Sequence, residues 1–454
     1  MKAERAEHRC GACGYRSPRW FGRCPECDAW SSAQDVPRTK HPATQLSVVT
    51  ALGGAAQTPA RLATGDGEVD RVLGGGLVRG SVVLLAGEPG IGKSTLVLQM
   101  LHGLTSADAR CLLVTGEESL DQVALRADRL GVPVGSLRAA ASTSLDEIVA
   151  AAAAETADVL VVDSIQTVED ASLEQGAGSI TQVRDCAAAL VRFAKRTGTI
   201  VVIVGHVTKE GSVAGPKTLE HMVDVVLALE GERSGTMRLL RSSKNRFGSC
   251  DETGVFTMSE SGLEDVEDPS ALLLADRNVG VAGSIVFPSL EGTRPVLVEV
   301  QALLIDANNN PHPRRVAIGF DPKRLALMLG VLSKLDARVM THDVFVAAAG
   351  GIAVREPAAD LPLCLAIMSA LSNHVIDPGT IAVGEVGLGG EVRRVPGIAR
   401  RLAEAERLGF SSAVVPHAAE VGGRTIDARP VRAVHAAVGA ALGTTAGARR
   451  RPSG

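Results

Sequence analysis

The run Gly87-Glu88-Pro89-Gly90-Ile91-Gly92-Lys93-Ser94-Thr95 has the residue types and spacing needed to grip a polyphosphate. Gly87, Gly92, Lys93 and Ser94 fill the fixed positions of the GxxxxGK[ST] phosphate loop. Glycines at 87, 90 and 92 open backbone conformations closed to other residues, so successive N–H groups can turn toward phosphate oxygens. A helix opening at Lys93 adds the partial positive charge of its N-terminus. Lys93 reaches the β- and γ-phosphates, and the Ser94 hydroxyl is placed to ligate Mg²⁺. The ligand implied is ATP with Mg²⁺.

A second chemistry lies upstream. Cys10-Gly-Ala-Cys13 and Cys24-Pro-Glu-Cys27 form two CxxC turns separated by ten residues. Each turn offers two thiolates to one ion, and the pair completes a tetrahedral four-cysteine zinc site. Four thiolates leave no open position, so the site is structural. Tyr15, Trp20, Phe21 and Trp30 interleave with the basic residues of this segment; the expectation is that they pack a small metal-stapled module spanning 1–32. Residues 33–60, rich in Ser, Thr, Pro and Ala, read as a linker.

Strands and helices must position the phosphate loop. Ser81–Ala86 precedes it as an apolar strand, and Leu96–Leu101 follows as helix. Further apolar, β-branched runs at 111–115, 158–163, 199–205 and 223–229 are separated by helix-compatible stretches. That alternation predicts a parallel sheet covered on both faces, with functional residues at the strands' C-terminal ends. Asp163 ends one run and is placed to hold Mg²⁺ with Ser94. Glu117 and Glu118 follow another; one of them orients or deprotonates the attacking water. His206 ends a third and is either a γ-phosphate sensor or a buried core histidine. The segments 169–179 and 209–218 are polar, Gly-rich and follow strand ends, as loops that contact a bound polymer would. Lys209 and Lys217 in the second are candidate phosphate contacts for DNA. In Ser242-Ser-Lys-Asn-Arg-Phe-Gly248, Lys244 and Arg246 point the same way from an extended segment and could meet a γ-phosphate in the same chain or across a subunit boundary.

Together the four-cysteine array, GEPGIGKST, GEES (116–119), GHVTKEG (205–211) and KNRFG (244–248) resemble the RadA (Sms) family of bacterial DNA-repair proteins. The resemblance implies a RecA/DnaB-like ATPase core over 61–265, assembled as a hexameric ring with ATP at subunit interfaces. Lys244 and Arg246 would then act in trans, and Glu117 matches the family's catalytic glutamate best. The channel loops would hold single-stranded or branched DNA, and the activity implied is a DnaB-like helicase promoting branch migration beside a RecA-type recombinase. From Gly280 onward, within a third region at 270–445, the chain resembles the proteolytic domain of Lon. Ala358, in Glu356-Pro-Ala-Ala-Asp360, stands where the Lon serine belongs, and the partner lysine falls near Ala399. Lacking nucleophile and base, the region has no route to acyl transfer and is read as an inactive oligomerisation platform. Arg314, Arg315, Lys323 and Arg324 form a candidate basic surface there, and 446–454 a basic tail.

The fold expected is therefore α/β: a RecA-like P-loop core, a small zinc module and a Lon-protease-like C-terminal domain. At 454 residues, two or three domains are expected, and a net charge of −4 gives no global nucleic-acid signature. No apolar run approaches the ~20 residues that span a bilayer. The charged start lacks an apolar h-region, so a cytoplasmic location with reduced thiols is expected. A DNA-stimulated ring motor is favoured over a non-motor ATP switch that regulates a recombinase, and over an ATP-dependent protease. If the CxxC pairs hold zinc, the purified chain carries about one zinc per molecule, and Cys10→Ser lowers that content when metal is measured by atomic absorption. An unchanged zinc content would remove the four-cysteine site.

Overall fold

The computed structural model describes residues 60–206, 219–231 and 237–443, apart from 309, 311, 420, 421, 423 and 424, together with parts of 8–35. Residues 1–58 and 59–454 form two compact units. In the first, short strands His8–Cys10, Arg16–Ser17 and Ala33–Asp35 pair antiparallel. The sulfurs of Cys10, Cys24 and Cys27 lie within 4.8 Å of one another; Cys13 lies outside the described residues, as does Tyr15. Three thiols converging at this spacing fit a tetrahedral zinc site. The aromatic expectation is corrected: Trp20 is 66% and Trp30 74% exposed. So small a metal-stapled unit has too little interior to bury two indoles. Arg23 instead stacks its guanidinium over the Trp30 ring at 5.8 Å.

The second unit begins with α1 (Gly67–Leu73), capped by the Asp66 side chain on the Val69 N–H. Then come β1 (Val82–Gly87), α2 (Lys93–Ser106), β2 (Cys111–Thr115), α3 (Leu120–Arg129), β3 (Arg138–Ala141), α4 (Leu145–Ala154), β4 (Val159–Asp163), α5 (Ile180–Thr197) and β5 (Ile200–His206). After these follow β6 (Val225–Glu230), β7 (Met237–Asn245), β8 (Thr253–Ser259) and β9 (Gly262–Asp265). They make one sheet ordered β9-β8-β7-β6-β1-β5-β4-β2-β3. From β6 to β3 all pairings are parallel; β7, β8 and β9 extend the sheet antiparallel. The central strands read as continuous apolar runs because both faces are covered. One face, with Val83, Leu85, Val202 and Val204, packs on α2; the other, with Val82, Leu84, Val201 and Ile203, packs on α4 and α5.

A short helix α6 (Pro269–Leu274) leads to the C-terminal region: β10 (Ser284–Glu291), β11 (Arg294–Asp306), β12 (Arg315–Ile318), α7 (Pro322–Leu332), β13 (His342–Ala348), α8 (Asp360–Ser372), β14 (Thr380–Ala382), α9 (Ile398–Arg407), β15 (Ser412–Pro416), β16 (Asp427–Val431) and α10 (Val434–Leu442). Its sheet is mixed, ordered β12-β13-β11-β10-β14-β15-β16. The α8 helix is apolar on all sides and buried at its centre. The two sheets share a seam: Met237, Val255 and Val266 of the first belong to the hydrophobic core of the second. Arg294 bonds Glu68 at 2.7 Å across it, and Arg241 pairs with Glu291. Among the described residues no helix is long and apolar enough to cross a membrane.

Ala358 is buried in a single turn, Pro357–Ala359, at the head of α8, while Ala399 lies exposed on α9. Glu356, two residues before Ala358, and Arg401, two residues after Ala399, form an ion pair. Arg401, 0% exposed, bonds Glu356 at 2.5 and 3.0 Å and donates to the carbonyls of Pro288 and Pro396. Removing one partner of such a pair leaves a buried charge uncompensated. Glu356→Ala therefore costs about 3 kcal/mol, seen as a lower Tm in a thermal melt; an unchanged Tm would show that the pair carries no such weight.

Candidate functional site

The phosphate loop joins β1 to α2. Gly90 (φ +80°) and Gly92 (φ +117°) adopt left-handed backbone, and a Cβ at Gly92 would meet Met258 at 2.6 Å. At Gly87 a Cβ would meet the Leu229 carbonyl at 2.7 Å, because β6 runs directly alongside. Glu88, Pro89 and Gly90 are solvent-facing or half-buried, Ile91 is anchored in the core, and Thr95 lies in the first turn of α2.

Lys93 is buried and its ammonium donates to the Gly87 and Glu88 carbonyls, both at 3.0 Å, and contacts His206 Nδ1 at 3.0 Å. Burial lowers its affinity for a proton, and the nearby Asp163 and Glu117 carboxylates partly restore it. His206 Nε2 lies 3.0 Å from Glu117 Oε1, and the Ser164 hydroxyl donates a short bond to the same oxygen. Burial opposes ionisation of Glu117, but the Ser164 hydroxyl, His206 and Lys93 outweigh it and hold the carboxyl below the usual range. Asp163, buried beside this chain and bonded by the Ser94 hydroxyl, is pushed the other way by burial. The Asp163–Ser164 peptide is cis.

Lys93, Ser94, Glu117, Asp163 and His206 thus converge at one edge of the sheet. Glu118 lies beside Ser94 and Asp163, but its carboxylate pairs with Arg126 of α3 at 2.5 and 2.8 Å, while its N–H bonds the Thr115 hydroxyl. The two adjacent glutamates thus have different partners. Sequence reasoning missed Ser164, although it directly follows Asp163, and Arg126, for which no local pattern gave a signal.

Lys244 and Arg246 lie elsewhere. Lys244 Nζ donates to the Glu220 carbonyl at 2.7 Å, and Arg246 pairs with Asp224 at 3.1 Å. Asp224 in turn accepts the Val82 N–H at 3.0 Å, at the start of β1. Arg246 therefore sits at the start of β1, about 17 Å along the strand from Gly87, while Lys244 pairs through β6 at the level of Leu84, about 10 Å from Gly87. Lys209 and Lys217 lie outside the described residues. The 169–179 segment is exposed, as expected, yet it is organised rather than loose. The Gln182 amide bonds the Asp170 and Gln175 carbonyls at 3.1 and 2.7 Å.

The C-terminal basic cluster dissolves on inspection. Arg314 pairs with Asp343 at 2.7 Å, Arg315 caps the carbonyls of His342, Val339 and Met340, and Arg324 pairs with Asp360. These three arginines tie strands and helices together, and Arg314 and Lys323 remain exposed.

Three family models match the chain: a rubredoxin metal binding domain over residues 8–34, an AAA domain over 54–212, and subunit ChlI of Mg-chelatase over 331–419. The chain is 45% identical over 437 residues to DNA repair protein RadA of Halalkalibacterium halodurans, covering 94% of this chain and 95% of the relative. It is 47% identical over 418 residues to that of Pseudomonas aeruginosa, covering 90% and 92%. With RadA of Escherichia coli it shares 44% over 432 residues, covering 92% and 94%. The chain belongs to the RadA family. As a RadA-family protein with this loop it is an ATP-hydrolysing enzyme of RecA-like fold, and its N-terminal cysteines fit zinc.

Proposed function

We propose that this RadA-family chain acts in DNA repair as a DNA-stimulated ATPase that works as a closed ring, a hexamer, translocating on single-stranded and branched DNA. In this reading it promotes branch migration and extends strand exchange beside a RecA-type recombinase. The observation that carries the proposal is the separation of Lys244 and Arg246 from their own phosphate loop. A head-to-tail contact brings such cations onto the neighbour's γ-phosphate, and head-to-tail contacts that close make rings. Arginine's planar fork suits the transferring phosphoryl oxygens.

Within one site, Lys93 exchanges the Gly87 and Glu88 carbonyls for β- and γ-phosphate oxygens. Ser94 and Asp163 would hold Mg²⁺, which neutralises charge between those phosphates. Glu117, kept ionised, orients and deprotonates the attacking water. Arg246 and Lys244 from the next subunit stabilise the charge that develops. His206 touches both Lys93 and Glu117, so loss of the γ-phosphate alters its contacts. The strand it ends leads into the segment with Lys209 and Lys217, assigned here to DNA. The zinc module and the inactive Lon-like region serve as partner-docking and assembly surfaces.

The test is steady-state ATP hydrolysis with and without single-stranded DNA, on wild type and on Lys209→Ala/Lys217→Ala. Strong stimulation that the double variant loses is the expected result. Turnover indifferent to DNA would overturn the motor and favour an ATP switch.

A further inference from the structure

The β7 strand carries a side chain that faces the phosphate loop of its own chain. Met237, Leu239 and Arg241 line a cavity of about 810 Å³ between the two sheets. The alternate residues turn the other way: Leu240 enters the core packed on α2 together with Ile91. Arg238 is 5% exposed; its Nη1 donates to the Met237 carbonyl at 2.8 Å, and its Nε donates to the Ile91 carbonyl at 3.2 Å. Long charged side chains are almost never buried this deeply unless their head group is paired.

The Ile91–Gly92 peptide is planar and trans, so the Ile91 C=O and the Gly92 N–H point in opposite directions. Holding the carbonyl toward β7 therefore turns the Gly92 N–H away from β7, toward the opening at the N-terminus of α2. Gly92 precedes that helix with φ +117°, a conformation that glycine adopts readily and other residues do not, and its carbonyl accepts the Leu96 N–H at 2.9 Å. We infer that Arg238 is a positioning residue for ATP hydrolysis, which presets the Gly92 N–H as a phosphate donor by anchoring the Ile91 carbonyl. The inference rests on the reading of 87–95 as the ATP site. Arg238 acts through the loop backbone and touches no reacting atom.

A donor to phosphate is engaged in the ground and transition states alike, so its misplacement appears in KM rather than kcat. The experiment uses the full chain with Arg238→Met and Arg238→Lys, measuring ATP hydrolysis across ATP concentration together with the Tm of each variant. Arg238→Met is expected to raise KM for ATP about tenfold or more, the scale of a lost charge-assisted hydrogen bond, with kcat held within about threefold. Arg238→Lys, which keeps one donor, is expected to restore KM toward wild type. A KM that does not move, with only kcat or Tm lowered, would reduce Arg238 to a packing residue and overturn the inference. If Arg238→Met does not fold, Arg238→Gln, whose amide is too short to reach the carbonyl, is read by the same criteria. Lys93→Ala run alongside separates the two levels. If it keeps nucleotide binding, the site itself is misplaced. If it loses binding while Arg238→Met keeps its KM, the positioning role alone fails.

Discussion

A parallel sheet delivers the C-terminal end of every strand to the same edge, and the site depends on that constraint. Register makes it concrete: His206 pairs with Gly87 across β5 and β1, and Thr115 with Asp163 across β2 and β4. Lys93, His206 and Glu117, from distant parts of the sequence, thus meet within hydrogen-bonding distance, with Asp163 beside them bonded by Ser94. Buried apolar strands supply the rigidity, and the low dielectric around them strengthens each polar contact at the edge. Lys93, His206, Glu117 and Ser164 form one continuous chain of contacts.

The antiparallel extension has the opposite consequence. β7 runs against β6, so it enters beside the phosphate loop and leaves at the far edge, where Lys244 and Arg246 emerge. One strand of nine residues therefore meets the loop through Arg238, the C-terminal region through Arg241 and Glu291, and the far edge through its last cations. Antiparallel pairing fixes all three together, since a slip of one residue would turn every side chain to the other face. The Glu356–Arg401 pair ties α9 to the turn before α8, and Arg401 also bonds the Pro288 carbonyl of β10.

The sequence was most legible where backbone chemistry constrains residue type. The glycines of the phosphate loop and the β-branched strands leading to it admit few alternatives, and the apolar runs end within two residues of the observed strands. The three-strand antiparallel extension was not foreseen, because half-buried hairpin strands such as Met237–Asn245 mix charge with apolar residues. What Glu117 and Glu118 do was also hidden: adjacent residues of one type differ only in where the turn after β2 aims them. Arg126, eight residues beyond Glu118, pairs with it through space. The basic residues 314, 315 and 324 misled for the same reason, since their carboxylate and carbonyl partners lie 24 to 36 residues away in sequence. Exposed Trp20 and Trp30 show that an aromatic in a small metal-stapled unit does not imply a core.

In the proposed ring a complete site needs two chains, one supplying the phosphate loop with Glu117 and the other Lys244 with Arg246. Complementation in mixed oligomers tests it most directly. Glu117→Gln and Arg246→Ala are purified separately, mixed under conditions that exchange subunits, and assayed for ATP hydrolysis on single-stranded DNA. Each variant alone is expected to be nearly inactive, and the mixture to regain turnover, because some interfaces pair an intact loop with an intact finger. A fully exchanged mixture as inactive as its components would contradict it.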